Sequence, residues 1–326
     1  MSKLATVYGG SGFVGRYIVR RLAKAGWRVR VAVRRPNEAI FVKPYGVVGQ
    51  VEPVFCNIRD DASVSAVMAG ADAVVNCVGT FDKGGKNNFE AIQHEGAERI
   101  ARIAASQGVS RMVHISAIGA DTEAPTLYGQ SKGLGEEGVL QHFPKALILR
   151  PSVVFGPEDE FFNRFAAMTK FGPALPVIGA GTKFQPVYVD DVAKAAMAGI
   201  EGDATGIYEL GGPDVSSFGE LMHHMLDVIQ RRRLVLNIPF FVGRIMGASF
   251  DILKALSGGL VSGPVTSDQV KSLRSDNVVA DDAKTLADLG IKPTSLEAVL
   301  PEYLWRFRPS GQYAAIKNSA ENLRSD

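Results

Sequence analysis

The chain has 326 residues, 46% of them hydrophobic and 21% charged, with a formal net charge of +2. That length holds one large or two modest domains with ample core, and so balanced a charge removes the case for nucleic-acid binding by bulk electrostatics. Cys56 and Cys77 lie in apolar runs without metal-ligand spacing to any of the five histidines, so they read as reduced thiols and no metal site is expected. No apolar run approaches the roughly 18 charge-free residues of a membrane span.

The first apolar run, Leu4-Ala5-Thr6-Val7-Tyr8, predicts a strand, and Gly9-Gly10-Ser11-Gly12-Phe13-Val14-Gly15 follows it directly. Val14, Ile18, Val19, Leu22 and Ala23 recur at helical spacing, which predicts a helix following Gly15. A strand, a tight glycine turn and a helix N-terminus form an anion-binding device. Gly9 permits the turn, Gly12 admits a pyrophosphate, Gly15 lets helix and strand pack closely, and Phe13 and Val14 complete the cradle. The motif begins within ten residues of Met1, so no signal or transit peptide is expected ahead of it. The spacing G-x-x-G-x-x-G resembles the extended and atypical branches of the short-chain dehydrogenase/reductase family.

A second strand is predicted from Trp27 to a terminal Arg34-Arg35 pair, about twenty residues past the glycines, where NAD-selective folds carry an acid for the ribose 2′-hydroxyl. Two cations there fit a 2′-phosphate instead, so NADP(H) is the expected cofactor and NAD the less expected one. Val51 to Asn57 reads as a third strand, with a helix from Asp61 to Ala69. The resemblance implies a residue contacting adenine after this strand. Asn57 with Ile58 is the nearest match, and Asp60 leaves the assignment open. Ala73 to Gly79 is apolar enough for a buried parallel strand, and the resemblance places Val78 and Gly79 beside the nicotinamide ribose. A helix containing Ala97, Ile100, Ala101, Ile103 and Ala104 leads to a fifth strand, Arg111 to Ser116. This alternation predicts an α/β fold, a Rossmann-type doubly wound parallel sheet.

Ser116 ends that strand, and Tyr128-Gly129-Gln130-Ser131-Lys132 comes about twelve residues later. Tyr128 and Lys132, at i and i+4, share a helix face, so the ammonium is expected to lower the phenol's pKa and ready it for proton transfer. Ser116 would hydrogen-bond a substrate oxygen as charge develops. Ser116, Tyr128 and Lys132 match the catalytic set of the family, which also implies cofactor contacts from Tyr128, Lys132 and Pro151.

A sixth strand, Ala146 to Arg150, runs into Pro151, where the nucleotide domain (1–150) is expected to yield to a smaller C-terminal region (151–308) and a mobile tail (309–326). Within that region lie Phe155-Gly156-Pro157-Glu158-Asp159 through Phe165, Phe171-Gly172-Pro173, and Gln185-Pro186-Val187-Tyr188-Val189-Asp190-Asp191-Val192-Ala193. Asp191 is expected to cap a helix from Val192 to Ile200, and Ser217 to start another. Adjacent His223 and His224 point to different faces and form no metal pair. Gly206 to Gly212 reads as a further strand. After Arg231-Arg232-Arg233, an apolar stripe of Phe241, Ile245, Ala248, Ile252 and Leu256 within 234–256 is expected as a helix, either docked on the domain or lying against a membrane or partner. Residues 281–307 are expected to add a final helix and strand region.

The three aromatic segments resemble the family of NADPH-binding accessory subunits of respiratory complex I, alpha-subcomplex subunit nine, with their bacterial relatives. That resemblance implies an accessory or assembly role in NADH:ubiquinone oxidoreductase, with complex I subunits or another membrane-associated quinone system as partners. It implies a cytoplasmic location, peripheral on the inner membrane of a bacterium, with membrane contact near 231–260. The rival expectation is an enzyme: an NADPH-dependent reductase or nucleotide-sugar-type epimerase/dehydratase working through Ser116, Tyr128 and Lys132.

Overall fold

The computed structural model describes residues 3–82, 84–245, 249, 266–309 and 311–313. The six predicted strands form, the first as expected, the sixth shifted by one residue and the four between them trimmed where ladder bonding ends: β1 (Leu4–Tyr8), β2 (Arg28–Val33), β3 (Val51–Phe55), β4 (Ala73–Asn76), β5 (Arg111–Ile115) and β6 (Leu147–Pro151). Between them run α1 (Phe13–Lys24), α2 (Asp61–Met68), α3 (Glu95–Ser106) and α4 (Leu127–His142). Downstream come β7 (Val154–Phe155), α5 (Phe162–Met168), β8 (Ala174–Ile178), β9 (Lys183–Phe184), β10 (Val187–Tyr188), α6 (Val189–Ile200), β11 (Gly206–Leu210), β12 (Ser216–Ser217), α7 (Phe218–Val228), β13 (Leu234–Ile238), α8 (Ser267–Ser272) and α9 (Leu296–Leu304).

The chain divides into two compact units: Met1–Ser152 with Val189–Gly211 and Val279–Pro293, and Val153–Tyr188 with Gly212–Val278 and Thr294–Asp326. The first contains a seven-stranded sheet in the order β11-β6-β5-β4-β1-β2-β3, parallel throughout. Chain order reverses between β1 and β4, which opens a crevice at their C-terminal ends, where doubly wound sheets bind ligands. β1 and β4 are buried along their whole length. Each fully buried aliphatic side chain there contributes about 1.5–3 kcal/mol. Ile100, Ala101 and Ala104 of α3 pack on one face with Met68 and Val74, making α3's apolar stripe the reason it lies on the sheet.

The second unit is organised by aromatic packing. Phe161, Phe165, Phe184 and Phe218 meet at centroid distances of 5.3–6.1 Å, and α7 and α9 close over them with Leu221, Met225, Leu300 and Leu304. Its strands pair in short ribbons, β10 with β7, β12 with β9 and β13 with β8. No helix among the described residues is long and apolar enough to cross a membrane.

Four local expectations need correction. Helix α1 begins at Phe13, before Gly15, because Gly12 already occupies the extended N-cap position. Helix α6 begins at Val189, so Asp191 is not its cap. It is a wholly buried residue in the first turn and accepts a hydrogen bond from Lys194 Nζ at 2.6 Å. Ahead of the apolar stripe the segment is strand β13, paired in parallel with β8, because Leu234-Val235-Leu236 finds a partner edge that periodicity alone does not reveal, while residues 240–245, where the stripe begins, are helical as expected. Phe241 and Ile245 are exposed, while Ala248, Ile252 and Leu256 lie outside the described residues. In 281–307 the helix forms as α9, but no strand accompanies it among the described residues. The tail expected from 309 onward lies outside the described residues beyond 313.

Candidate functional site

The glycine turn is built as its residue types require. Gly9 adopts φ +73°, a left-handed conformation that favours glycine, and its carbonyl accepts from Gly12 N at 2.9 Å. A Cβ on Gly15 would stand 2.4 Å from Gly9 O, so only glycine lets α1 approach the turn this closely. The N-cap Gly12 offers no side chain to the first-turn N–H groups, which leaves the positive end of α1 directed at the turn. Cys77 N donates to Tyr8 O at 2.9 Å, and the Cys77 carbonyl and Val78 side chain lie 3.2 Å from where a Gly9 Cβ would be. The end of β4 therefore joins the glycine turn. Phe13 and Val14 are half-buried in the first turn of α1.

Arg34 and Arg35 are exposed immediately beyond β2. Arg35 Nη1 reaches Glu38 Oε1 at 2.9 Å, an exposed pair of the kind contributing about 0–1 kcal/mol, which leaves the guanidinium available to a stronger anion. Asp60 is the N-cap of α2, accepting from Ala62 N at 3.0 Å, and Asn57 Oδ1 accepts from Arg59 N and Nε at 3.3 Å. The Ile58 side chain belongs to the core and its carbonyl accepts from Arg99 Nη1. Pro151 is buried, its carbonyl accepting from Ile118 N.

Tyr128 and Lys132 sit in α4, whose cap Thr126 accepts from Gly129 N. Lys132 is buried and its Nζ donates to Ile115 O at 3.1 Å, which brings the ammonium to the end of β5 beside Ser116. A Cβ on Gly79 would be 3.9 Å from Lys132 Nζ and from Gln93 Nε2, so these three residues share one neighbourhood. Burial lowers the Lys132 pKa to about 8, against the raising influence of Glu136 and Cys77. Ser116 is buried, and its Oγ has no hydrogen-bond partner among the described residues.

One expected property is reversed. The Tyr128 phenol is not lowered by Lys132; burial pushes it up to about 12. The cause is aromatic cover: Phe81 stacks on Tyr128 at 5.3 Å with planes 15° apart, and Phe89 meets its edge at 6.0 Å. Covering the ring desolvates the phenolate and so favours the neutral phenol.

Sequence reasoning missed several residues around this centre. Gln93, on a π-helical turn (Glu90–His94), accepts from Ser131 Oγ at 2.6 Å and donates to Thr80 O at 2.7 Å, tying α4 to the loop after β4. Asn76 Oδ1 accepts from Val78 N, so its amide must donate to His114 Nδ1, at 3.1 Å. His114 thus carries its proton on Nε2, a buried atom without a partner among the described residues; burial and then Lys132 hold the ring neutral, with a pKa of about 3. Nothing in the spacing of Gln93, His114, Phe81 or Phe89 marks them, because their neighbours come from different elements. The glycine cradle, the two exposed arginines and the orphaned Ser116 hydroxyl fit a dinucleotide with a polar group at its reactive end. Among the described residues no cluster of three metal-ligating side chains occurs.

Along 94% of its length the chain is 37% identical to the mitochondrial NADH dehydrogenase [ubiquinone] 1 alpha subcomplex subunit 9 of Arabidopsis thaliana, covering 79% of that protein. It is 27% identical over 72% of its length to the ceramide reductase of Caulobacter vibrioides, covering 74% of that protein. Among solved structures, UDP-glucose 4-epimerase of Thermotoga maritima shares the fold at a TM-score of 0.70 and 17% identity, with 93% of this chain and 98% of that one covered. The glycine turn, the parallel sheet and the Ser116–Tyr128–Lys132 neighbourhood all fall within residues 5–211, where the sequence pattern of the NAD dependent epimerase/dehydratase family matches, and the chain belongs to that family.

Proposed function

We propose that this protein binds NADP(H) as a resident ligand and serves as an accessory or assembly subunit of a complex I-type NADH:ubiquinone oxidoreductase, held peripherally on the cytoplasmic face of a bacterial inner membrane. The observation that carries the resident-ligand reading is the glycine cradle joined to the end of β4, with Lys132 Nζ at the end of β5. Similarity to the Arabidopsis subunit over 94% of the chain supports the assembly role. In this reading the glycine turn and the α1 N-terminus hold the pyrophosphate, Arg34 and Arg35 the 2′-phosphate, and Lys132 the nicotinamide ribose. The bound dinucleotide orders the first unit, and a nicotinamide would supply hydride chemistry only if a substrate reached it.

Native purification from membranes and cytosol in parallel, with mass spectrometry of bound nucleotide and co-purifying chains, tests this. NADPH retained together with quinone oxidoreductase subunits in the membrane fraction is expected. A lone protein exchanging NADPH freely would refute it.

An enzymatic reading is favoured by one observation, the buried Ser116 Oγ with a free hydrogen-bonding capacity beside Lys132. Similarity to a ceramide reductase supports the reductase form of that reading. NADPH-dependent turnover of a carbonyl substrate lost in Lys132→Met and Tyr128→Phe would establish it.

A further inference from the structure

Nine of the chain's cations fall in residues 1–37, which hold no carboxylate, although the whole chain carries only +2. Several of them gather at the N-terminal end of β1–β3, the end of the sheet away from the glycine turn. Lys24 ends α1, Arg28 opens β2, and Lys3 Nζ stands 5.3 Å over the Trp27 ring. Against this turn sits the loop 46–50. Gln50 clamps it: Nε2 donates to Ala23 O at 2.7 Å and Trp27 O at 2.9 Å, while Oε1 accepts from Val47 N at 2.9 Å. Gly46 has no room for a Cβ beside Gln50 Oε1, and Gly49 turns the chain at φ +78°. The clamp holds Val47 at 74% exposure and Val48 fully exposed, across a recess of about 550 Å³ from Arg28.

Two carboxylates at this corner are already engaged: Asp72 accepts from Leu4 N and Glu201 accepts from Trp27 Nε1. Two protruding aliphatic side chains in a rim of Lys and Arg match the recognition of an anionic bilayer, where apolar groups enter the headgroup boundary and cations stay at the surface. A protein partner fits less well. Protein hot spots favour Trp, Tyr and Arg seated in desolvated pockets and under-use valine, whereas these valines stand at a loop tip.

We propose that Val47 and Val48, with Lys24, Arg28 and Lys3, form a docking surface for an anionic phospholipid bilayer. This surface does not depend on the accessory-subunit reading, because a free-standing enzyme bearing it would bind the same lipid.

The test is flotation of the full chain, loaded with NADPH, on vesicles of phosphatidylcholine alone or mixed with phosphatidylglycerol. The protein binds the mixed vesicles, releases as salt is raised, and ignores phosphatidylcholine alone. Val47→Ser with Val48→Ser, and separately Lys24→Gln with Arg28→Gln, each weaken partitioning about tenfold while nucleotide fluorescence and melting temperature stay unchanged. Failure of the unmodified protein to prefer anionic vesicles overturns the proposal. So does equal binding by both variants, which would locate the lipid contact elsewhere. Retention of a stoichiometric protein partner that depends on Val47 and Val48, without vesicle binding, also overturns it and makes the corner a protein interface.

Discussion

Single residues decide whether the site binds or reacts. Gly15→Ala places a methyl group 2.4 Å from Gly9 O, where only backbone movement makes room. It is expected to abolish dinucleotide binding and cost about 1–3 kcal/mol of stability, measured by fluorescence titration and urea unfolding. Lys132 carries an opposing pair of effects. Its folded pKa of about 8 lies below the ordinary 10.5, so the folded state binds fewer protons between those values and cofactor-free stability rises with pH across that window. Lys132→Met removes a buried charge, so it is expected to raise the cofactor-free melting temperature at pH 7, to lose that advantage by about pH 10, and to weaken NADPH binding throughout. Melts at the two pH values with and without NADPH check all three. The i, i+4 spacing of Tyr128 and Lys132 was legible as a shared helix face, but the sign of the Tyr128 shift was not. That sign depends on Phe81 and Phe89, which arrive from the segment between β4 and α3.

At the scale of elements, helix starts carry the clearest signals. Ser217 accepts from Glu220 N while Glu220 reaches back to Ser217 N, a complete capping box at the start of α7. Ser217→Ala is expected to cost about 1 kcal/mol. Helix α9 is held by a contact no local pattern announces: the Tyr303 hydroxyl donates to Asp159, whose carboxylate also accepts from Gly156 N and Asn163 N. Burial raises the Asp159 carboxyl while these donors pull it down. Tyr303→Phe leaves that buried carboxylate one donor short and is expected to destabilise the protein by about 1–3 kcal/mol at neutral pH. The missing donor stabilises the ionised form, so the loss shrinks as acid protonates Asp159. Denaturant midpoints across pH measure it. The departure from helix at 234–238 has the same origin. Leu234-Val235-Leu236 is apolar in a way that suits either helix or strand, and the free edge of β8 selected the strand.

For the whole molecule, cofactor and stability are linked. NADPH at a hundred times its dissociation constant is expected to stabilise the cofactor-bound unit by about 2.7 kcal/mol, read as a shift in its calorimetric transition. NADH should require a higher concentration for the same shift, and Arg34→Ser with Arg35→Ser should narrow that gap. Equal shifts by both nucleotides in the unmodified protein would show that the arginines do not select the 2′-phosphate.

The sequence by itself determined the parallel sheet, the glycine turn and the membership of Tyr128 and Lys132 in one helix. These follow from local sterics and from periodicity, which act over a few residues: glycine is favoured where φ is positive and required where no Cβ fits, and apolar strands must be buried. Tertiary structure alone decided the neutrality of Tyr128, the buried Gln93 bridge, the orphaned His114 and Ser116 atoms, and the exposure of Val47 and Val48. Those properties are set by desolvation and by neighbours distant in sequence, and local propensity carries no information about either.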